Sequence, residues 1–201
     1  MIKNIIFDMG GVLIDFNPEK TLCGFFNKET ADLVLREIFR NLRWSEKDRG
    51  TVTPDDIMAE VGPMIPPQAY ERVNDMVQNL YPYMPPFPEM PPLIASLKKN
   101  GYRIFLLSNA STDFYDNKWR IPALDLFEGY LISADYLLLK PEREIYEKLF
   151  SKFGLNREEC IFIDDVQANV DGSIAAGMKA LRHNGNVEDL KANLRNAGVN
   201  I

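Results

Sequence analysis

The sequence predicts an α/β fold: a doubly wound parallel sheet with a helical block inserted after its first strand. Three observations carry that prediction. Residues 90–181 alternate short apolar runs with helical stretches, the pattern of right-handed strand–helix–strand crossovers. Residues 18–80 carry helical periodicity alone and separate the first strand from the others. Six of the 13 prolines fall between positions 82 and 92, which marks an edge between two structural units.

Lys3-Asn-Ile-Ile-Phe-Asp8 reads as a short buried strand that ends on a carboxylate and is broken by Gly10-Gly11. In the helical block, Leu22, Phe25 and Phe26 share a face, as do Leu33, Val34 and Ile38. Thr53-Pro54 is a helix start, with threonine as N-cap and proline at the first position. Phe25, Phe26 and Phe39 read as interior residues of this block. After it, a helix at 90–99 stops at Asn100-Gly101, and Tyr102–Leu107 is a strand. A helix starts near Thr112, and Tyr130–Ser133 is a short strand. Glu142–Phe153 is a helix ended by Gly154, and Cys160–Ile163 a strand. Ala168–Ala176 is a helix ended by Gly177, and Lys179–Leu181 is the last strand.

Length and charge narrow the function. Two hundred and one residues fit one domain, or one domain with an inserted lobe. A net charge of −6 argues against a surface that tracks nucleic acid or anionic lipid. The acidic residue at position 8 interrupts the N-terminal apolar run, and no stretch is long enough for a signal peptide or membrane span. Cys23 and Cys160 stand in no metal-ligand spacing, so a reducing cytoplasm is the expected location. The single histidine, His183, beside Asn184-Gly185, reads as a surface residue.

In open parallel sheets, ligands bind beyond the carboxyl ends of the strands. The residues there are Asp8, Ser108-Asn109 and Asp164-Asp165, with Lys140-Pro141 preceding the helix at 142. An acidic cluster can hold a hard cation, while serine, lysine and backbone amides can hold phosphate. Taken singly, each reads more readily as a turn, a helix cap or an ordinary helix approach than as a catalytic group.

Four motifs in order change that reading. Ile5-Ile6-Phe7-Asp8-Met9-Gly10-Gly11-Val12-Leu13, Leu106-Leu107-Ser108-Asn109, Lys140-Pro141 and Phe162-Ile163-Asp164-Asp165 resemble those of the haloacid dehalogenase-like hydrolase superfamily, phosphatase branch. The resemblance implies a Rossmann-like core over 1–17 and 89–201, with residues 18–88 as a helical cap. It implies Asp8 as the nucleophile that forms an aspartyl-phosphate. Mg²⁺ would be held by Asp8, the carbonyl of Gly10 and Asp165, with Asp164 and Asn169 supporting from behind. Ser108, Asn109 and Lys140 would bind the phosphoryl oxygens. The implied partner is a small phosphorylated metabolite. The same Lys140 and carboxylate pair disfavour a dehalogenase.

One position departs from the pattern. Most phosphatases of this superfamily carry a second aspartate two residues after the nucleophile, as general acid and base; here it is Gly10. General acid–base catalysis contributes about 10²–10⁴ in rate, so the loss needs an account. Either the leaving group needs little protonation, as in a sugar 1-phosphate, or the proton comes from elsewhere, or turnover is feeble. The Asp8-Met-Gly-Gly-Val-Leu-Ile-Asp-Phe-Asn17 run looks like the bacterial alpha-glucose-1-phosphate phosphatase group, which favours the first. Phosphoryl transfer to another acceptor and a non-enzymatic, metabolite-binding regulator are the alternatives. In the cap, the segment from Trp44 to Thr53 resembles the family's substrate-facing turn. Trp44 is placed to stack on a sugar and Asp48 or Arg49 to bond its hydroxyls; a core tryptophan and a solvated charge run are the competing readings.

Overall fold

The computed structural model describes residues 1–201. Its centre is a five-stranded, all-parallel sheet of β1 (Asn4–Phe7), β2 (Arg103–Ser108), β3 (Gly129–Ile132), β4 (Cys160–Asp164) and β5 (Lys179–Arg182). The spatial order β3-β2-β1-β4-β5 puts the first strand in the middle. Asn4 therefore pairs with Arg103 on one side and Cys160 on the other. This is the predicted fold class, and strand ends differ from expectation by one residue at most.

A central strand covered on both faces is mostly apolar, and beyond the buried Asn4 its residues Ile5, Ile6 and Phe7 are fully buried. Alternation then sorts the side chains. Ile5, Phe7, Leu106 and Ile163 enter one apolar layer beneath α6 (Met90–Lys99) and α10 (Val187–Asn196). Ile6, Phe105, Leu107 and Phe162 enter the other, beneath α8 (Arg143–Phe153). Gly154 ends α8 in the left-handed region at φ 62°.

Two elements depart from expectation. The helix predicted near Thr112 is a single turn, α7 (Phe114–Asn117), followed by 3₁₀ turns at Lys118–Arg120 and Pro122–Leu126. Pro122 has no N–H to donate and pushes Ile121 out of helical geometry, to φ −116° and ψ 86°. The C-terminal α10 had no predicted counterpart. Asn186 caps it by accepting from the N–H groups of Glu188 and Asp189, and Leu190 and Leu194 bury its inner face.

Between β1 and β2 lie α1 (Pro18–Phe25), α2 (Lys28–Val34), a π-helical turn (Leu35–Phe39), α3 (Leu42–Arg49), α4 (Pro54–Val61) and α5 (Pro67–Gln78). Leu22, Val34, Ile38, Ile57, Val73 and Val77 form an apolar cluster made wholly of this stretch. Thr53 and Asp56 close a reciprocal capping box at the start of α4. Phe25, expected inside, is 48% exposed with the Arg72 guanidinium 4.8 Å above its ring. The outgoing and returning chains run side by side: Asp15 N–H donates to Pro85 at 2.9 Å, and Phe87 N–H donates to Leu13 at 2.9 Å.

Gly50 ends α3 at φ 85°, where a Cβ would lie 3.0 Å from the Ala134 carbonyl oxygen. Only glycine suits both the backbone angle and that approach. The end of α3 thereby sits directly on the segment after β3.

Candidate active site

Asp8 follows β1 immediately, and its N–H is fixed by the Ile163 carbonyl at 2.9 Å. Its Oδ1 accepts from the Met9 N–H at 2.7 Å. Asp164 is the last residue of the adjacent β4, so pairing of the two strands sets the two carboxylates beside each other. Lys140 enters between them, with Nζ 2.7 Å from both Asp8 Oδ1 and Asp164 Oδ2. The Lys140 side chain is 1% exposed.

Asp164 has no bonding capacity left for a ligand. Besides Lys140 it accepts from Val166 N–H at 2.8 Å and from Asn169 Nδ2 at 3.1 Å, on the first turns of α9 (Gln167–Ala175). Asp165 is different: its side chain has no hydrogen-bond partner in the protein and faces the cavity. Gly11, at φ 69°, makes room for it, since a Cβ there would fall 2.4 Å from Asp165 Oδ2. Carboxylate oxygens of Asp8, Asp164 and Asp165 all lie within 4.8 Å of one another.

Burial pushes the Asp8 carboxyl well above the ordinary range; Lys140 pulls against that, while Asp164 and Asp165 add to it. Burial alone would lower the Lys140 ammonium, but the carboxylates of Asp8 and Asp164 more than offset it and hold it above its usual value. Burial and the Asp164 charge likewise raise Asp165. With all three carboxyls ionised, one ammonium leaves two negative charges, which a divalent cation would balance and which its charge would in turn favour. All the donors are oxygens, so the set fits a hard cation such as Mg²⁺.

Ser108, buried at the end of β2, and Asn109 complete the core side of the site. The Asn109 side chain pairs with the Lys140 backbone, accepting from its N–H at 2.8 Å and donating to its carbonyl at 3.1 Å.

A cavity of about 210 Å³ lies over these groups. Asp8, Gly10, Ser108, Asn109, Lys140, Asp165 and Asn169 line it, while Asp164 sits beneath. From α3 in the inserted helical stretch, Trp44 and Asp48 reach it; Arg49 does not. Arg49 instead pairs with Glu142 and donates to the Leu137 carbonyl at 3.0 Å. Trp44, Lys47 and Asp48 share the face of α3 turned to the cavity, and Arg49, about 100° further round the helix from Asp48, lies off it. Trp44 satisfies both readings, packing on Phe39 at 4.6 Å between ring centres while one side lines the cavity.

Four polar lining residues were missed from sequence: Lys47, Tyr81, Ser111 and Asp113. Lys47 is 4% exposed, with Nζ 2.8 Å from Ser111 Oγ and 3.5 Å from Asp113 Oδ2. The usable signal was helical spacing, because positions 44, 47 and 48 share one face of α3. Burial pushes Asp48 up to about 7, with Lys47 lowering it and Asp113 raising it. His183, expected at the surface, is 6% exposed at the end of β5, where burial holds its imidazole below the ordinary value. Its backbone N–H donates to the Asp164 carbonyl at 2.8 Å, carrying the β4–β5 pairing one residue past β5.

A parallel sheet that gathers a lysine and three aspartates at its carboxyl edge, under a helical cover, defines a hydrolase of one broad class. The chain belongs to the haloacid dehalogenase-like hydrolase family, whose pattern matches residues 2–177. Among its relatives, the sesquiterpene phosphatase astK of Aspergillus oryzae is 30% identical over 180 residues, spanning 89% of this chain and 88% of that protein. The D-ribitol-5-phosphate phosphatase of Bacteroides thetaiotaomicron is 25% identical over 185 residues, spanning 85% and 86%. A crystal structure of a family enzyme from the same bacterium, in complex with magnesium and inorganic phosphate, matches with a TM-score of 0.70. It is 23% identical and the match covers 92% of this chain and 96% of that one, which speaks to the fold. These relatives support a hydrolase that acts on phosphate esters. No helix is long and apolar enough to cross a membrane.

Proposed function

We propose that this protein is a Mg²⁺-dependent phosphatase that hydrolyses a small phosphomonoester through an aspartyl-phosphate on Asp8, residues 18–88 serving as the cap. The observation that carries it is Lys140 Nζ at 2.7 Å from both Asp8 and Asp164, on the floor of the cavity.

Asp8 is the nucleophile. The Met9 N–H and Lys140 fix the orientation of its carboxylate, and the Lys140 charge, working against burial, favours the ionised form that attacks phosphorus in line. Ser108 Oγ and the Asn109 N–H bind the phosphoryl oxygens, and the Lys140 charge stabilises them as negative charge shifts during transfer. Asp8, Asp165 and the Gly10 carbonyl would hold Mg²⁺, which supplies electrostatic shielding between an anionic nucleophile and an anionic ester. Asn169 holds Asp164, and Asp164 holds Lys140. Trp44, Leu80, Tyr81 and Met84 give the rest of the substrate an apolar wall, and Lys47 and Asp48 give it polar contacts. Arg49, turned to Glu142, fastens the cap and touches no substrate. Sugar 1-phosphates head the candidate substrates, since their anomeric oxygen leaves with least help.

The test is a panel of sugar phosphates and other small phosphomonoesters, assayed with and without Mg²⁺. Release of inorganic phosphate that requires Mg²⁺ and is abolished in Asp8→Asn is the expected result. Binding of panel members with no turnover would overturn it in favour of a regulatory protein. Phosphate found mainly on an added sugar acceptor would overturn hydrolysis in favour of transfer.

A further inference from the structure

The space a side chain would occupy at position 10 is already partly taken, because a Cβ there would lie 3.3 Å from Phe16 Cβ. Where the departing oxygen needs a proton, it has to come from another group in the cavity. Four carboxyls line it: Asp8, Asp48, Asp113 and Asp165. Asp8 and Asp165 belong to the charge cluster with Asp164. Asp113 is occupied by Ser111 Oγ at 2.5 Å and Lys47 Nζ at 3.5 Å. Asp15 pairs with Lys20 and lies outside the lining, as does His183. The Tyr81 phenol, raised by burial, is too weak an acid for the task. Asp48 remains, and its carboxyl makes no hydrogen bond or ion pair within the protein.

Its backbone, by contrast, is firmly held. The Asp48 carbonyl accepts from Ser133 Oγ at 2.5 Å, and the same Oγ accepts from the Ala110 N–H at 2.9 Å. Arg49 and Gly50, the next two residues, fasten the end of α3 to the segment after β3. A free carboxyl on a fixed backbone, open to the cavity that contains Asp8, is what proton transfer requires.

We infer that Asp48, brought to the site by the cap, is the general acid and base of the reaction in place of the carboxyl absent at position 10. The inference rests on the phosphatase reading above. As an Asp8 oxygen bonds to phosphorus, the ester P–O bond breaks and the departing oxygen takes the Asp48 proton. Alcohol, an Asp8 acyl phosphate and the Asp48 carboxylate result. Asp48 then takes a proton from water while the water oxygen bonds to phosphorus and the bond to Asp8 breaks. Inorganic phosphate leaves, and Asp48 is again protonated.

The surroundings suit the role. Burial pushes Asp48 up to about 7 against the neighbouring charges of Lys47, Asp113 and Lys140, so near neutral pH both its forms are populated. With this acid the substrates are no longer confined to esters with good leaving groups. Ordinary alkyl phosphates fall within reach.

Phenyl phosphate and p-nitrophenyl phosphate differ little in shape but strongly in leaving group, so they separate protonation from binding. In Asp48→Asn, kcat/KM for phenyl phosphate should fall by about 10²-fold or more and that for p-nitrophenyl phosphate by less than about 10-fold. The wild-type decline on phenyl phosphate above about pH 7 should vanish with it. Asp48→Glu, which keeps a carboxyl, should keep the wild-type ratio between the two esters even at a lower rate. Thermal melting of each variant shows that it folds. Equal losses on both esters, or none, would overturn Asp48 as the acid and leave the phosphatase reading standing. Failure of the wild type on both esters and on the whole panel above would overturn both.

Discussion

Asn109 and Lys140 form a reciprocal pair across the sheet edge, the side-chain amide of one matching the backbone N–H and carbonyl of the other at 2.8 and 3.1 Å. The second and third motifs are therefore one mechanical unit. The backbone that delivers the Lys140 ammonium to Asp8 is set by the residue after the Ser108 hydroxyl.

Asn109→Ala should damage the site at a distance from the ester. It leaves both Lys140 backbone groups unpaired, with a cost of about 1–3 kcal/mol in urea unfolding. Because Lys140 loses its register, kcat for phosphate release should fall as well. Asn109→Gln, with an amide set one methylene too far, should recover little of either.

Divalent cation binding has a readout independent of turnover. With Mg²⁺ at a hundredfold excess over its dissociation constant, the folded state should gain about 2.7 kcal/mol, read as a raised melting temperature. Asp165→Asn should abolish that gain, since Asp165 is the one carboxylate of the cluster without a protein partner. Chelator should lower the melting temperature of wild type and leave the variant unchanged.

Arg49→Ala tests the fastening of the cap. Its partner Glu142 lies on the segment between Lys140 and α8, so the pair joins the cap to the loop that carries the lysine. Both side chains are about a third exposed (30% and 34%), so the loss should be small, up to about 1 kcal/mol or fivefold in kcat/KM. The ranking of esters should stay as in wild type, whereas Trp44→Ala should reorder it.

His183 gives the stability a pH dependence of definite sign. Its Nδ1 has no partner, and burial holds the folded-state pKa below the unfolded value of about 6.5. The unfolded chain therefore binds more protons below about pH 6.5, and stability is lost as pH falls through that value. His183→Phe should show a smaller loss between pH 8 and 5.5 in urea titrations. The difference between the two proteins isolates the histidine from the raised carboxyls.

The strand ends were legible because each is a run of branched and aromatic residues stopped by a polar or glycine signal, as in Ile-Ile-Phe-Asp8 and Phe-Ile-Asp164. Since the site lies at those ends, most of its core side followed. What failed depends on three-dimensional neighbours. The charge run Glu46–Arg49 gives no hint of which members face inward until the phase of α3 is known. Lys47 was passed over and Arg49 chosen for that reason. His183 borders a glycine turn, and only the packing at the end of β5 shows that it is covered. The α10 helix has only Leu190 and Leu194 buried among polar residues, too sparse a stripe to stand out without the sheet beneath.

The paired backbones of Asp15 with Pro85 and Leu13 with Phe87 have a consequence for descent. A chain that leaves and re-enters the core through adjacent residues can lose, gain or exchange everything between them without altering a strand. Selection can thus rework substrate choice as a cassette while the phosphate chemistry is inherited intact. If Asp48 is the acid, however, this cassette also carries part of the reaction, and swapping it would exchange catalyst together with specificity.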